Sequence, residues 1–422
     1  TVPNVTGQHT IDIALSLDEA QSWQAAGDQV VVNVLQPTPT PTPKPTATPS
    51  PVPTQRPTAV AIAQPTKAPA AAGPPPAAVG VNRFGYGSQL NWTSSPIGHD
   101  GEFGTLNSMG FGWAKIQVRW CDLQGSPGAP DTSALSEMNN LAKAHGIKLL
   151  FSVVCGPSWT GGQSVDGNPG PPNDPGQLGQ ILGGLAGTFC PASDSEGGLH
   201  AIEVWNETNL SREWGPHPLN GADYLRYLSV AYTSIKAACP KIIVVSGAPT
   251  PTGVSNANAV PDDQYLQQMY SAGLKQYSDA IGIHPSGYNV PVDCNITDPA
   301  CGPPPGTSFM APWNSRHYSF SFLSMMTRYR NIMVANGDGA KQLWATEFGW
   351  GVTGSPFPGY EYEKDNTPDE QAQWLVGSYR YAKQWGWVGV MFVWNLDFTS
   401  GENGAFSILN KPAQSALAGI PK

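Results

Sequence analysis

Eight short segments rich in β-formers recur between residues 83 and 398, and their spacing limits the fold more than any other feature of the chain. In order they read RFGYGSQL (83–90), WAKIQVRW (113–120), IKLLFSVV (147–154), AIEVWNE (201–207), KIIVVSGA (241–248), DAIGIHPS (279–286), QLWATEFGW (342–350) and VGVMFVWNLDF (388–398). Helical or Gly/Pro-rich stretches separate them. ALSEMNNLAKAHG (134–146) closes on a glycine suited to a helix C-cap, and NGADYLRYLSVAYTSIKAAC (220–239) carries apolar residues at helical spacing. DEQAQWLVGSYRYAKQWG (369–386) starts beside Pro368, which a first helical turn tolerates. Strands alternating with helices over residues 79–422 predict an α/β chain, a (β/α)8 TIM barrel. The competing doubly wound sheet wants a GxGxxG turn after its first strand, and GYGSQL lacks the third glycine.

Upstream the pattern is different. Residues 36–78 are Pro/Thr-rich and cannot bury a core, so they predict an extended spacer with a reach on the order of 100 Å. Residues 1–35 hold HTIDIALSL and QVVVNVL, which alternate like half-buried strands. So short a piece is too small for its own core. It reads as a fragment of a β-sandwich, or as an element that self-associates or attaches the protein to a surface.

Composition narrows the partners. A net charge of −9 disfavours nucleic acid and anionic membranes, and no apolar run reaches the length of a membrane span. The chain opens at Thr1 without a charged-then-apolar leader, so a signal peptide is expected to have been removed or left out. Six cysteines show no CxxC, and there is no HExxH, so no metal site and no cofactor are implied. Their positions suit disulfides and an oxidising, extracellular setting. Cys121 and Cys155 follow neighbouring strands, Cys190 and Cys239 precede neighbouring strands, and Cys294 and Cys301 share one insertion. These three bridges are the expected pairing among fifteen, with free buried thiols as the other reading.

In a barrel of this kind the reacting groups gather at the C-terminal ends of the strands. The fourth segment ends in Asn206 and Glu207, the sixth in His284 with Tyr288 beyond it, and the seventh in Glu347. Arg119 and Trp120 close the second, Trp159 follows the third, and Trp394 lies in the eighth. Two carboxylates across a mouth ringed by aromatics suit glycoside hydrolysis, where one protonates the leaving oxygen and the other attacks carbon or activates water. Glu203 lies too deep to reach the mouth and reads as structural.

EVWNETN, GIHPSGY, LWATEFGW and VWNLDF, in that order, resemble the clan of retaining (β/α)8 glycoside hydrolases, with details similar to family 39-like and family 5-like members. The resemblance covers about residues 80 to 420. It implies Glu207 as acid/base and Glu347 as nucleophile, Asn206 on the sugar 2-hydroxyl, and Arg119 and Tyr288 orienting Glu347. It also implies His284 lining the site, Trp394 as the floor under the sugar and Trp159 as a wall. The sequence departs from the pattern at Thr208, where many members have Pro, and at Tyr288, which lies farther along than in His-x-Tyr. The acid is expected to have a raised pKa and the nucleophile a low one.

Plainer readings stand beside these: a core histidine at His284, a salt bridge at Arg119, and core packing for Trp120, Trp159, Trp214 and Trp350. Asp262, Asp263 and EYEKD (361–365) read as solvated surface or subsite rims. The leading expectation is a secreted retaining hydrolase, endo-acting on a neutral β-linked polysaccharide. A non-catalytic carbohydrate binder and a transglycosylase are the alternatives. A binder has no need of both carboxylates.

Overall fold

The computed structural model describes Gln8–Thr10, Val31–Asn33 and residues 84–422 apart from 166–167 and 399–400. The chain forms two units, Thr1–Gly73 and Pro74–Lys422. In the first, Gln8–Thr10 and Val31–Asn33 pair antiparallel, with His9 opposite Val32. The expected spacer over 36–78 lies outside the described residues.

The second unit contains the eight strands in the order read from the sequence: β1 (Gly85–Leu90), β2 (Trp113–Arg119), β3 (Lys148–Val154), β4 (Gly198–Val204), β5 (Ile243–Ser246), β6 (Ile281–Ile283), β7 (Leu343–Phe348) and β8 (Val388–Val393). Each pairs parallel with its neighbour, and β8 returns to β1. A parallel bridge from Val245 to Ala280 closes the ring between β5 and β6. A helix follows each strand: α1 (His99–Ser108), α2 (Ser133–Ala144), α3 (Pro175–Thr188), α4 (Gly221–Ala238), α5 (Asp262–Ser271), α6 (Phe322–Ala335), α7 (Pro368–Trp385) and α8 (Pro412–Ala418). The fold is therefore a (β/α)8 barrel.

Local chemistry fixes the helix ends. Thr367 and Glu370 form a capping box at the start of α7, and Gly386 at φ 69° ends it. Asn220 caps α4 by accepting from the Asp223 amide. Two apolar layers result. Trp113, Leu150, Ala201, Val245, Trp344 and Phe392 pack inside the barrel, and a larger cluster fills the space between strands and helices. The interior is crowded enough that a Cβ on Gly389 would lie 2.2 Å from Trp344 Nε1. Outside, a Cβ on Gly179 would lie 2.8 Å from Ser234 Oγ, so glycine lets α3 approach α4 closely.

Three disulfides form as expected, Cys121–Cys155, Cys190–Cys239 and Cys294–Cys301. The first joins the mouth ends of β2 and β3. The second joins segments on the opposite face, 49 residues apart in sequence. Replacing Cys190 and Cys239 by Ser is expected to cost about 2–4 kcal/mol, by loss of the constraint on the unfolded chain. A denaturant midpoint unchanged from the parent would contradict this.

Two sequence expectations need correction. Asp262 and Asp263 are buried, not solvated: Asp262 accepts from Tyr318 Oη and the Thr252 amide, and Asp263 pairs with Arg328. Within EYEKD, Glu363 is also buried.

Candidate active site

β4 ends at Val204, three residues before Glu207, and the chain then turns across the barrel mouth. Trp205 at φ 70° and Glu207 at φ 44° both occupy the left-handed region. That conformation costs on the order of 1–3 kcal/mol per residue and persists only where the surroundings over-determine it. Here they do. Trp205 is fully buried and donates Nε1–H to the Glu213 carbonyl at 2.9 Å, and the Glu207 amide donates to the Ala248 carbonyl at 2.9 Å. The turn aims Glu207 into the mouth.

Glu347 arrives by a different device. Ala345 of β7 pairs with Met391 and Phe348 with Val393, so β7 spends one more residue than β8 over this interval. Such a bulge re-aims side chains. Thr346 reaches the barrel interior, donating to Glu203 Oε1 at 2.7 Å, and the very next residue, Glu347, reaches the cavity.

The two carboxylates share His284, whose Nδ1 lies 3.2 Å from Glu207 Oε1 and 3.7 Å from Glu347 Oε2. Arg212 Nη2 donates to Glu207 Oε2 at 2.8 Å. Lys115, wholly buried on β2, donates Nζ–H to Glu347 Oε1 at 2.6 Å and lies 3.4 Å from Glu203 Oε2. Glu203 is thus a structural carboxylate under the site, and it also accepts from the Ala248 amide at 3.3 Å.

These contacts set the charges. Burial alone would raise the Glu207 pKa, but the His284 hydrogen bond and the Arg212 guanidinium outweigh it and hold it well below the usual carboxylate range. Burial disfavours the His284 cation, yet the Glu347 and Glu207 charges raise its pKa on balance. The Lys115 pKa is likewise raised, because Glu203 and Glu347 overcome the cost of burial. Glu213 is pushed up to about 7, first by burial and then by the Glu207 charge.

A cavity of about 320 Å³ opens over these groups, walled by Tyr288, Tyr360, Tyr362, Trp394 and Phe406 and edged by Gln117, Asn168, Thr250 and Asn403. Asn206 lines it with Oδ1 buried and without a hydrogen-bond partner among the described residues. A buried acceptor is costly when left unpaired, so this one is suited to a ligand hydroxyl. A larger hollow of about 740 Å³ lies between α5 and α6 and contains none of the groups at the mouth. Oxygens of Glu207 and Glu347 and a nitrogen of His284 lie within 4.8 Å of one another. Lys115 supplies positive charge to Glu347, and Arg212 supplies it to Glu207.

Of the residues proposed from sequence, Asn206, Glu207, His284, Tyr288, Glu347 and Trp394 all line this cavity. Arg119 and Trp159 do not. Arg119 stands at the very end of β2, 44% exposed, and pairs with Asp122 at 3.1 Å. Lys115 and His284 hold Glu347 in place of Arg119 and Tyr288. Tyr288, at φ 53°, packs its ring against Phe320 and Tyr362. Trp159 donates to the Gln124 carbonyl at 2.8 Å, meets Trp120 edge-on, and lines a separate groove with α3. Trp214 and Trp350 are core residues.

The sequence reading missed Lys115, Arg212, Glu213 and Tyr360, whereas Tyr362, within the EYEKD stretch read as surface or a subsite rim, lines the cavity. Lys115 had a signal, since strand alternation puts it on the same face as Trp113, inside a barrel. Arg212 and Glu213 lie on the one-turn helix Ser211–Trp214, for which SREW offers no periodic cue.

No protein-family model matches the sequence, and no curated protein matches it. Solved structures do match in fold. One is a family 39 glycoside hydrolase from the gut symbiont Bacteroides cellulosilyticus WH2, with a TM-score of 0.56 and 17% identity over 81% of this chain. This chain spans 64% of the length of that protein. A glucosidase from Croceicoccus marinus gives a TM-score of 0.55 and 11% identity, covering 82% of this chain and 68% of that one. A GH5_18 protein from Streptomyces cattleya, in complex with GlcNAc, gives 0.55 and 12%, covering 80% and 79%. At these identities the likeness is one of fold.

Proposed function

We propose that this barrel, similar in fold to glycoside hydrolases of families 39 and 5, is itself a retaining β-glycoside hydrolase. The observation that carries the reading is the carboxylate pair delivered by the ends of β4 and β7, with an oxygen of each within 4.8 Å. Retaining enzymes hold their carboxyl groups ~5–5.5 Å apart, whereas inverting enzymes leave ~6.5–9.5 Å for a water.

The roles follow from the contacts. Glu347, backed by the Lys115 ammonium, attacks the anomeric carbon while Glu207 protonates the departing oxygen. Glu207 then takes a proton from the water that releases the glycosyl-enzyme. Asn206 Oδ1 accepts from a sugar hydroxyl, and Trp394 with the tyrosines offers ring faces to the sugar. His284 fixes the spacing of the two carboxylates. We assign the substrate to neutral β-linked polysaccharides, because the cavity's arginine is already occupied by Glu207. Internal cleavage and an extracellular setting complete the reading. Three disulfides support the latter, and among the described residues no helix is long and apolar enough to cross a membrane.

The test is product analysis on β-glucan, mannan, xylan and bacterial exopolysaccharide, with the intact protein, Glu207→Ala and Glu347→Ala. Cleavage of one polymer by the intact protein alone, with the β-anomer appearing first by NMR, is the expected result. Equal binding by all three proteins without cleavage would make the barrel a carbohydrate binder. Products longer than the starting chains would make it a transglycosylase.

A further inference from the structure

Trp120 and Trp159 lie outside the catalytic cavity, and a single residue fixes both of their indoles. Gln124 accepts from Trp120 Nε1 at 2.8 Å through Oε1 and from Trp159 Nε1 at 2.8 Å through its backbone carbonyl. Its own Nε2 donates to the Gly128 carbonyl at 2.5 Å. The Cys121–Cys155 disulfide ties together the two segments that carry the rings. Trp120 is buried and backs the half-buried Trp159 edge-on. Both indole N–H groups are thus satisfied within the protein, so Trp159 has apolar ring surface to offer a ligand.

The two rings belong to a groove of about 490 Å³ between the β2–α2 connection and α3. None of the residues lining it is charged. On α3 it is edged by Gln177, Gln180, Gly184 and Thr188, which recur every three or four residues and so share one face. From Gln177 to Thr188 that face runs for roughly 16 Å, the length of eleven helical steps. Among the described residues, the side chains of Gln177, Gln180, Thr132 and Thr188 make no hydrogen bond, which leaves amides and hydroxyls available along both edges. Gly184 keeps the α3 side low: a Cβ there would meet nothing within 4 Å.

We propose, resting on the reading of a neutral β-glycan as substrate, that this groove is a second glycan-binding site, which holds another stretch of the polysaccharide apart from the bond being cut. A neutral sugar chain alternates apolar ring faces with hydroxyl edges, and the groove sets an indole among amides and hydroxyls. Its uncharged lining disfavours an ionic ligand, which would lose water without gaining a counter-charge. Because Gln124 and the disulfide fix Trp159 in advance, binding orders little of the protein. The loop after β3 carries both Trp159 and Asn168, which edges the catalytic cavity. That loop is bonded to itself, Gly156 N–H to the Gly170 carbonyl and Asn173 N–H to the Thr160 carbonyl, each at 3.1 Å. The groove therefore starts from the rim that holds the reacting groups, and a chain held there raises the local concentration of polymer at the cleft.

The test is affinity electrophoresis of the full chain in gels containing β-glucan, mannan or xylan, with Glu347→Ala as the background so that no polymer is consumed. Gly184→Arg fills the groove from an open helical position where arginine is the better helix former, so it spares the fold. Trp159→Ala removes the ring itself. Each is expected to weaken retardation by the bound polymer about tenfold, the loss of one site of a linked pair. With Glu347 restored, Gly184→Arg should lower kcat/KM on that polymer while leaving an aryl β-glycoside of the same sugar at the parental value. Retardation that Gly184→Arg leaves unchanged, or equal losses on polymer and aryl glycoside, overturn the second site and leave the glycosidase reading intact. Retardation by none of the polymers also overturns it. So does binding of a Pro/Thr peptide in place of glycan that Gly184→Arg abolishes, since aromatic-lined grooves take such chains too. Groove-dependent retardation of a chain that cleaves no polymer overturns the glycosidase reading and leaves the second site standing.

Discussion

Glu347→Ala is expected to lower kcat on the order of 10⁴-fold or more, with glycan affinity changed by no more than a few-fold. The loss follows from its place in the chemistry. A nucleophile that forms the covalent intermediate has no substitute in the first step, and single removals of such groups abolish most of the rate enhancement. Glu207 cannot take over, because in this mechanism the acid/base meets the leaving group from the face opposite the nucleophile. Stereochemistry gives an independent check. Azide admitted to the space left by Glu347 attacks from the nucleophile's face and yields an α-glycosyl azide. Azide added to Glu207→Ala attacks the glycosyl-enzyme from the opposite face and yields the β-azide. A reversal of these products would exchange the two roles, and residual activity within a hundredfold of the parent would remove Glu347 from the chemistry.

Lys115→Met should be the most damaging change to stability. The ammonium is inaccessible to solvent and serves two carboxylates, Glu203 on β4 and Glu347 on β7. Removing one member of a buried ion pair leaves an uncompensated charge and costs about 3–5 kcal/mol. Glu203 feels the loss most: it is itself wholly buried, and its other partners, Thr346 and the Ala248 amide, are neutral. Adding Glu203→Gln should therefore recover much of the lost denaturation midpoint. It should not recover turnover, since Glu347 still lacks the donor that aims it. A single Lys115→Met variant within about 1 kcal/mol of the parent, a cost typical of a surface ion pair, would show that the ammonium is not what holds these carboxylates.

The contrast between Arg119 and Lys115 shows what the sequence could and could not disclose. Both lie on β2 at alternate positions, so period-two reasoning places them on one face. Choosing between them required the depth of the barrel. Arg119 ends above the mouth beside Asp122, whereas a long lysine side chain from deeper in the strand reaches Glu347. The order of strands and helices was readable because each repeat carries its own periodicity and caps. Glu347 was readable as a strand-end carboxylate, but the bulge that lets Thr346 and Glu347 both face inward was not. Trp159 misled for the opposite reason. It follows a strand end as the site residues do, but its indole is bonded to the Gln124 carbonyl and faces α3. Loop trajectories of that kind depend on long-range packing, and no local pattern encodes them.

The two carboxylates share His284, but their strongest cationic partners come from different parts of the molecule. Glu347 rests on Lys115, and through it on Glu203, all borne by the strands or their ends. Glu207 is held by Arg212, which belongs to the connecting segment after β4. Exchanging only the one-turn helix Ser211–Trp214 that follows Glu207 would therefore change the charge set against Glu207, and with it the working pH, while Glu347 kept its seat. Such a barrel can adapt to a more acidic or more alkaline habitat by exchanging one loop.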